Sequence, residues 1–449
     1  MVFAIIIVIY ALIIIGVTII SSRKQAKNDI GSFIANKGQI GILQAVALVV
    51  GANIAGSGTV GCVQTGYTTG IAALFGQAVG AIAILLAVLF GLTKFYRVMA
   101  LDGALSIPEA LGKFFSARVR SVIAIICACS YIGLFAIQPS AIAAILAPAF
   151  NLDYKTVMWV GGLLCAFVGC MGGIKSISDT NILHTCVMFF SLSIASVLVI
   201  KYIGGGFSNV NSSVPSSFLD PFALGWGTTG AYLVTTFGIA LNPLSISPVF
   251  GCKSLKSANR GLLISAVLLV EFTLAIAYIG ISGKAANIDA SGADIIYVIT
   301  DRVSPYLSAI VNVGILAAIL STAPMLLVSA SATISHDIYA SLINKSATQK
   351  QQLVVAKISI FLIAVFGIFI GTTIPSIMSG LMAAIQMVSI PSVIVFISVL
   401  SGRIDERAVF WGILSSGLVA VVWYFLRNPF GLQPVWPSLA AGVVVVVPL

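Results

Sequence analysis

Apolar residues along this chain come in long uninterrupted runs, with neither the alternation of a half-buried strand nor the single stripe of an amphipathic helix. The runs extend from Val2 to Ile20, Ile40 to Val63, Thr69 to Leu92, Val122 to Ala149, Val157 to Gly172, Ile182 to Tyr202 and Gly230 to Phe250. They continue from Gly261 to Ile281, Leu307 to Ala330, Ile358 to Thr372, Ile377 to Val399, Val409 to Leu426 and Trp436 to Leu449. A helix needs about 20 such residues to cross roughly 30 Å of hydrocarbon. The pattern therefore predicts an all-α polytopic membrane protein with about 13 transmembrane helices joined by short loops. The first run has no basic residue before it and Arg23 and Lys24 after it, so it reads as a retained helix and not a signal peptide. The last run is short for a full crossing, as it would be in a chain truncated there.

Two runs are locally wrong for continuous helices. The second contains Gly51-Ala52-Asn53-Ile54-Ala55-Gly56-Ser57-Gly58, and the seventh contains Gly238-Ile239-Ala240-Leu241-Asn242-Pro243. Glycine lowers the cost of leaving the helical backbone, and Pro243 lacks an N–H and clashes with the carbonyl four residues back. In lipid, such a break is tolerated only where it is buried in protein or lines a wet cavity. Each break opens a block of five helices, and an odd block length inserts the second block upside down. That predicts a 5+5 inverted repeat with a broken first helix in each repeat and a binding site between the breaks. Close packing of helices on small residues is the competing explanation, and it accounts for one such run better than for two that each carry an asparagine. The chain then divides into a leading helix and linker (1–38), a first repeat (39–203), an outer loop (204–224), a second repeat (225–400) and C-terminal helices (401–449). The outer loop is rich in Gly, Ser, Asn and Pro and reads as a solvated connection with room for a short lid helix.

Composition and charge narrow the class. Of the residues, 59% are hydrophobic and only 8% charged, against roughly a quarter charged in soluble domains. The seven cysteines lack the spacing of a metal site or a disulfide framework and read as small hydrophobes. A net charge of +10 would suit a nucleic-acid binder, yet eighteen of the 23 basic residues fall on one side of the alternating helices. The positive-inside rule turns that bias into topology: N-terminus outside, C-terminus inside, in the inner (cytoplasmic) membrane. The expected surroundings are the lipid bilayer, with no nucleic-acid partner.

Candidate chemistry gathers at the breaks. Ala318, Ser321 and Thr322 stand at i, i+3 and i+4, so two hydroxyls and one carbonyl share a helical face. With carbonyls of the unwound backbone at Gly51 and Ile54, they offer the hard, neutral oxygens that a sodium ion takes. A Ser-Thr pair in a membrane helix also commonly bonds its own i−4 carbonyl, and the matching break is what favours the ion site. Asn53 and Asn242 place amide donors and acceptors in the two breaks, with Ser57 and Thr59 as weaker substrate-binding candidates. Capping of half-helix ends is the plainer role for either asparagine. Glu271 falls mid-span in an apolar helix, where an ionisable residue suggests function, here a coupling role, or else a structural carboxyl bonded across helices. His184 and Asp179 read as structural.

Beyond these residues, the chain resembles the solute:sodium symporter family. The stretch Asn312 to Tyr339, NVGILAAILSTAPMLLVSASATISHDIY, is similar to that family's eighth core helix. Ser106-Ile107-Pro108-Glu109-Ala110-Leu111, Gly172-Gly173-Ile174-Lys175, and Asn242-Pro243 followed by Cys252-Lys253-Ser254 are similar to its other motifs in order and spacing. The resemblance covers nearly the whole chain and implies the leucine-transporter-type fold. It implies the same five positions for the family's common sodium site, and substrate contact at Asn53 and Asn242 as in sugar-transporting relatives. At the family's second sodium site this chain carries Asn181, Pro324 and Met325, which implies one sodium per cycle. The proline-transporting branch has an Asp at the position of Asn53 and aromatic residues at those of Thr235 and Ile239.

The expected function is sodium-coupled symport of a small polar organic solute, such as a sugar or an amino acid, by alternating access. Proton coupling through Glu271 or His184 is the alternative within the same fold. A polytopic membrane enzyme is disfavoured because two histidines and no acidic cluster assemble neither a metal centre nor a nucleophile–base pair. A membrane sensor finds no support in the sequence.

Overall fold

The computed structural model describes residues 2–23, 29–246, 248–373, 377–402, 405–426 and 429–446. Among them every regular element is helical, apart from one isolated parallel bridge between Ile40 and Cys252. Among the described residues, eight helices are long and apolar enough to cross a membrane, and ten spans result if each of two sharply bent pairs counts as one. The count of 13 differs for identifiable reasons. Tyr154–Tyr202 is a 49-residue helix interrupted at Gly173 (φ 51°, ψ −147°); at about 74 Å it holds two of the expected runs. The seventh run is broken into pieces too short to register as a span.

In chain order, α1 (Val2–Arg23) leads to the first broken helix, α2 (Ile42–Asn53) and α3 (Gly56–Thr69). The next span is α4 (Val79–Leu89) and α5 (Leu92–Leu101), bent by 67° at Gly91, whose φ of 76° suits glycine. This corrects the boundary at Leu92, where hydropathy ended the run before the more polar α5. Then come α6 (Ile107–Phe114), α7 (Ala117–Ala136), α8 (Gln138–Phe150), α9 (Tyr154–Tyr202) and α10 (Gly225–Thr235). Between α9 and α10 the outer loop carries a short helix, Phe207–Ser213. The chain continues through α11 (Leu255–Ala285), α12 (Pro305–Ala332), α13 (Gln349–Gly371) and α14 (Ile377–Ser401).

The centre of the bundle is α12, buried along most of its length and packed against α9. A helix apolar on every side has no face to give to lipid or water and belongs inside. Small residues let neighbours approach: a Cβ on Gly314 would lie 2.0 Å from Ser191 Oγ. The same device joins α3 to α11, where a Cβ on Gly280 would fall 2.1 Å from the carbonyl oxygen of Val63.

At one end, polar side chains tie four segments together. Arg120 on α7 pairs with the buried Asp337, just past α12, at 2.9 Å, and Ser106 donates to the same carboxylate oxygen at 2.8 Å. His336 meets Glu109 of α6 at 2.8 Å and Gln352 of α13 at 3.1 Å. Burial raises the Glu109 carboxyl, but the hydrogen bond and charge of His336, the Leu105 amide and Arg120 outweigh it and hold it below its usual value. A lowered carboxylate adds stability above its unfolded pKa and loses it as pH falls through the folded one.

Two outcomes follow for stability. Glu109→Gln is expected to lower the melting temperature most at neutral pH, where the ionised carboxylate contributes in full, and to approach wild type below roughly pH 4, the ordinary range for Glu, so that the acid side of the profile flattens. Gly280→Val drives a side chain into backbone and should destabilise the detergent-solubilised protein by about 1–3 kcal/mol. Unchanged melting would show that α3 and α11 separate at little cost.

Candidate functional site

Helix α2 ends where Ile54 leaves helical geometry (φ −102°, ψ 86°), and the chain turns by 59° into the helix that follows. A helix end frees its last carbonyls, and here α12 meets one of them. Thr322 Oγ1 lies 2.5 Å from the Gly51 carbonyl and 3.0 Å from that of Ala318, while Ser321 Oγ lies 3.2 and 2.8 Å from the same two oxygens. Each hydroxyl has one proton, so two protons serve four close oxygen–oxygen contacts. A hard cation resolves that shortage, because all four oxygens then turn lone pairs toward it. Ile54, one turn beyond Gly51, is buried at the break with its backbone out of the helix.

The approach requires glycine. A Cβ at Gly51 would lie 2.7 Å from Asn181 Nδ2 and 3.0 Å from Ser321 Cβ. Asn181 donates to the Ser321 carbonyl at 3.2 Å, and its own buried Oδ1 has no partner among the described residues. Pro324 and Met325 lie buried further along α12 and bring no hydroxyl.

The second break passes from α10 through a tight turn, Thr236–Ala240, to Leu241 and Asn242, then to short helical segments Pro243–Ile246 and Pro248–Gly251. Its freed carbonyls are also met by side chains. Tyr96 of α5 donates to Ala240, and Tyr131 of α7 donates to Leu241 at 3.0 Å, beside the Cys127 thiol at 3.3 Å.

Between the breaks lies a cavity of about 190 Å³. Asn53 and Asn242 both line it, as do Thr235, Ile239 and Thr322. The Asn53 amide donates to Val49 at 2.8 Å and to Ser245 Oγ at 3.1 Å, so the first break is hydrogen-bonded to the second. Gly80 on α4 makes room for it, since a Cβ there would lie 2.5 Å from Asn53 Oδ1.

Other expected residues fall elsewhere. Thr59 is buried, donates to the Ala55 carbonyl of its own helix at 3.1 Å and does not line the cavity. The side chain of Ser57 lies outside the described residues, as do Lys24, Lys27, Arg403 and Arg427 from the charge bias. Glu271 is exposed on the flank of α11, 3.3 Å from Ser193 Oγ and away from the cavity lining. His184 is buried against the Tyr10 hydroxyl. Asp179 accepts from Ser21 at 2.5 Å, Gln44 at 2.7 Å and Lys175. Sequence reasoning missed Ser245, Gln138 and Tyr131, which also line the cavity. For Gln138 a signal existed: an amide next to proline inside an apolar run.

Comparison with known proteins bears on the family and the fold. A family model described as the sodium:solute symporter family matches residues 33–416. The sodium/proline symporter of Salmonella typhimurium is 22% identical over 342 residues, 72% of this chain and 68% of that protein. The Escherichia coli sodium/proline symporter is 22% identical over 68% of this chain and 64% of its own length. The osmoregulated proline transporter OpuE of Bacillus subtilis is 23% identical over 77% and 74%. Among solved structures, a Na+-coupled sialic acid symporter in a substrate-bound outward-open state superposes with a TM-score of 0.84 at 18% identity, covering 99% of this chain and 96% of that one. A nucleobase-cation-symport-1 family transporter in a closed conformation gives 0.60 at 14% identity, covering 93% of each. These likenesses show the transporter fold.

Proposed function

The chain belongs to the sodium:solute symporter family, and from that premise we propose that it takes up a small polar solute with one sodium ion per cycle through the two broken helices. It is a membrane protein and a sodium-coupled solute symporter, not an enzyme. The proposed ion site comprises the carbonyls of Gly51, Ile54 and Ala318 with the hydroxyls of Ser321 and Thr322. The proposed solute site is the cavity bounded by Asn53 and Asn242. One observation carries the reading: Thr322 belongs to both, since its hydroxyl reaches the Gly51 carbonyl and its side chain lines the cavity.

A single sodium is favoured because Asn181, Pro324 and Met325 supply neither a carboxylate nor a further hydroxyl beside that site. Proton coupling is disfavoured because Glu271 and His184 are both engaged away from the cavity. The excess of basic residues on one side supports an inner-membrane orientation with the N-terminus outside.

Uptake into proteoliposomes should require an inward sodium gradient, and equal uptake on a proton gradient with potassium outside would remove sodium from the mechanism. Ser321→Ala and Thr322→Ala each delete one oxygen. If one oxygen on the cation contributes about as much as a hydrogen bond to a charged group, about 1.5–3 kcal/mol, sodium affinity should fall roughly 10- to 150-fold in each. Unchanged sodium activation in the double variant would place the ion elsewhere. Charge-to-flux ratios should give one sodium per neutral solute, whereas a ratio of two would show a second site built from other oxygens.

A further inference from the structure

We propose that Gln138 is a substrate-binding residue and that the transported solute is uncharged and rich in N–H or O–H donors. The inference rests on the reading of the cavity as the solute site. Gln138 opens α8, lines the cavity and is 1% exposed. Its Nε2 donates to the Leu134 carbonyl at 3.2 Å, and its Oε1 has no partner among the described residues. Because a carbonyl only accepts, that bond fixes which end of the amide carries the unpaired oxygen. A buried acceptor without a donor is costly, and a solute donor that meets it as the side chain turns toward the cavity recovers the cost.

The rest of the wall points to the same kind of solute. The hydroxyls of Ser130, Thr235, Thr236 and Ser389 all donate to backbone carbonyls, of Ala384, Tyr232, Leu233 and Ile385. With their protons committed, they offer the cavity lone pairs only. The Tyr131 hydroxyl is likewise spent on Leu241. With the Asn53 amide already donating to Val49 and Ser245, these acceptors outnumber the donor groups of Asn242 and Tyr232 in the same wall, which suits a ligand of donors. None of the described lining residues is Asp, Glu, Lys, Arg or His, so a cationic group on the solute would enter with no counter-charge, which burial penalises heavily, and the one charge near an anionic group would be the proposed sodium beside Thr322. A carboxylate away from that ion is disfavoured as well, since it would face these lone pairs. Polyols, sugars and ureas meet both conditions.

The test uses full-length protein in detergent with sodium, titrated calorimetrically with D-glucose, myo-inositol and urea, and in parallel with proline, glutamate, lactate and ethanolamine. A neutral probe should bind, and one monodeoxy analogue of it should bind at least tenfold more weakly. In Gln138→Met that deoxy penalty should vanish, an effect that mere loss of structure does not produce; Gln138→Asn, which keeps an amide, serves if the Met variant does not fold. A deoxy penalty that persists in the variant overturns the role of Gln138. Sodium-dependent binding of an ion or zwitterion with the neutral probes silent, or stabilisation by sodium with no neutral probe bound, overturns the solute class and leaves symport standing. Binding indifferent to sodium would overturn the symport reading instead, and the deoxy series would still decide for or against Gln138.

Discussion

Backbone carbonyls released where a helix breaks must find partners, because hydrocarbon offers none. In this chain the organisation of the bundle follows from that requirement. Two helices break, and at each break side chains from other helices reach the freed oxygens. At the second, the phenols of Tyr96 and Tyr131 serve Ala240 and Leu241. At the first, the small hydroxyls of Ser321 and Thr322 serve Gly51. The chemistry of the two ends differs accordingly. A phenol held by its ring among packed helices is a fixed strut, whereas a Ser or Thr hydroxyl can turn its proton away and present a lone pair. On the proposed reading, the first break would exchange its protein donors for a cation without moving a helix.

The two breaks are also fastened to each other. Asn53 bonds Ser245 across them, and at the far end Ile40 and Cys252 form a bridge, with the Ile40 amide donating to Gly251 at 3.0 Å. The first broken helix begins where the second one finishes, which is the antiparallel relation an inverted repeat requires. Arg97 adds a clasp, donating to the Cys252 carbonyl at 2.7 Å, where the last carbonyls of a helical segment attract a cation. A displacement of α2 is therefore transmitted to the segment after Pro243, through contacts at both ends of it.

Much of this was legible in the sequence because the cost of polar atoms in lipid leaves strong marks. The breaks could be read from glycine runs and one proline, and the Ser-Thr pair from its spacing on one face. What could not be read was the filling of space. The bend at Gly91 hides in a run whose hydropathy stays high to Leu92, and Tyr154–Tyr202 joins two runs across the polar stretch 173–181, with Gly173 alone leaving helical geometry. Thr59 has the same composition signal as Thr322. It differs only in direction, and periodicity within one broken segment does not specify direction. Ser245 became visible only when the breaks were folded together, since nothing local to it distinguishes a wall residue from a buried one, whereas Gln138 carried a local mark in its proline neighbour.

Glycine placement connects these levels. Gly51 and Gly80 are not needed for positive φ; both lie in helices. Each is small because a neighbour occupies the place of its side chain: Asn181 and Ser321 beside Gly51, and the Asn53 amide against Gly80. The ion candidate and the solute candidate are thus each set into position by the absence of one methyl group on a facing helix, and the two glycines lie on adjacent spans. A helix shift that opened the gap at Gly80 would release Asn53 from the cavity wall, and one that opened the gap at Gly51 would part the four oxygens. Tight packing makes such gaps close or open together, because interiors at crystal-like density have few intermediate arrangements. On the proposed reading, that is the physical basis on which one polar cavity and one cluster of neutral oxygens would act as a single two-state device.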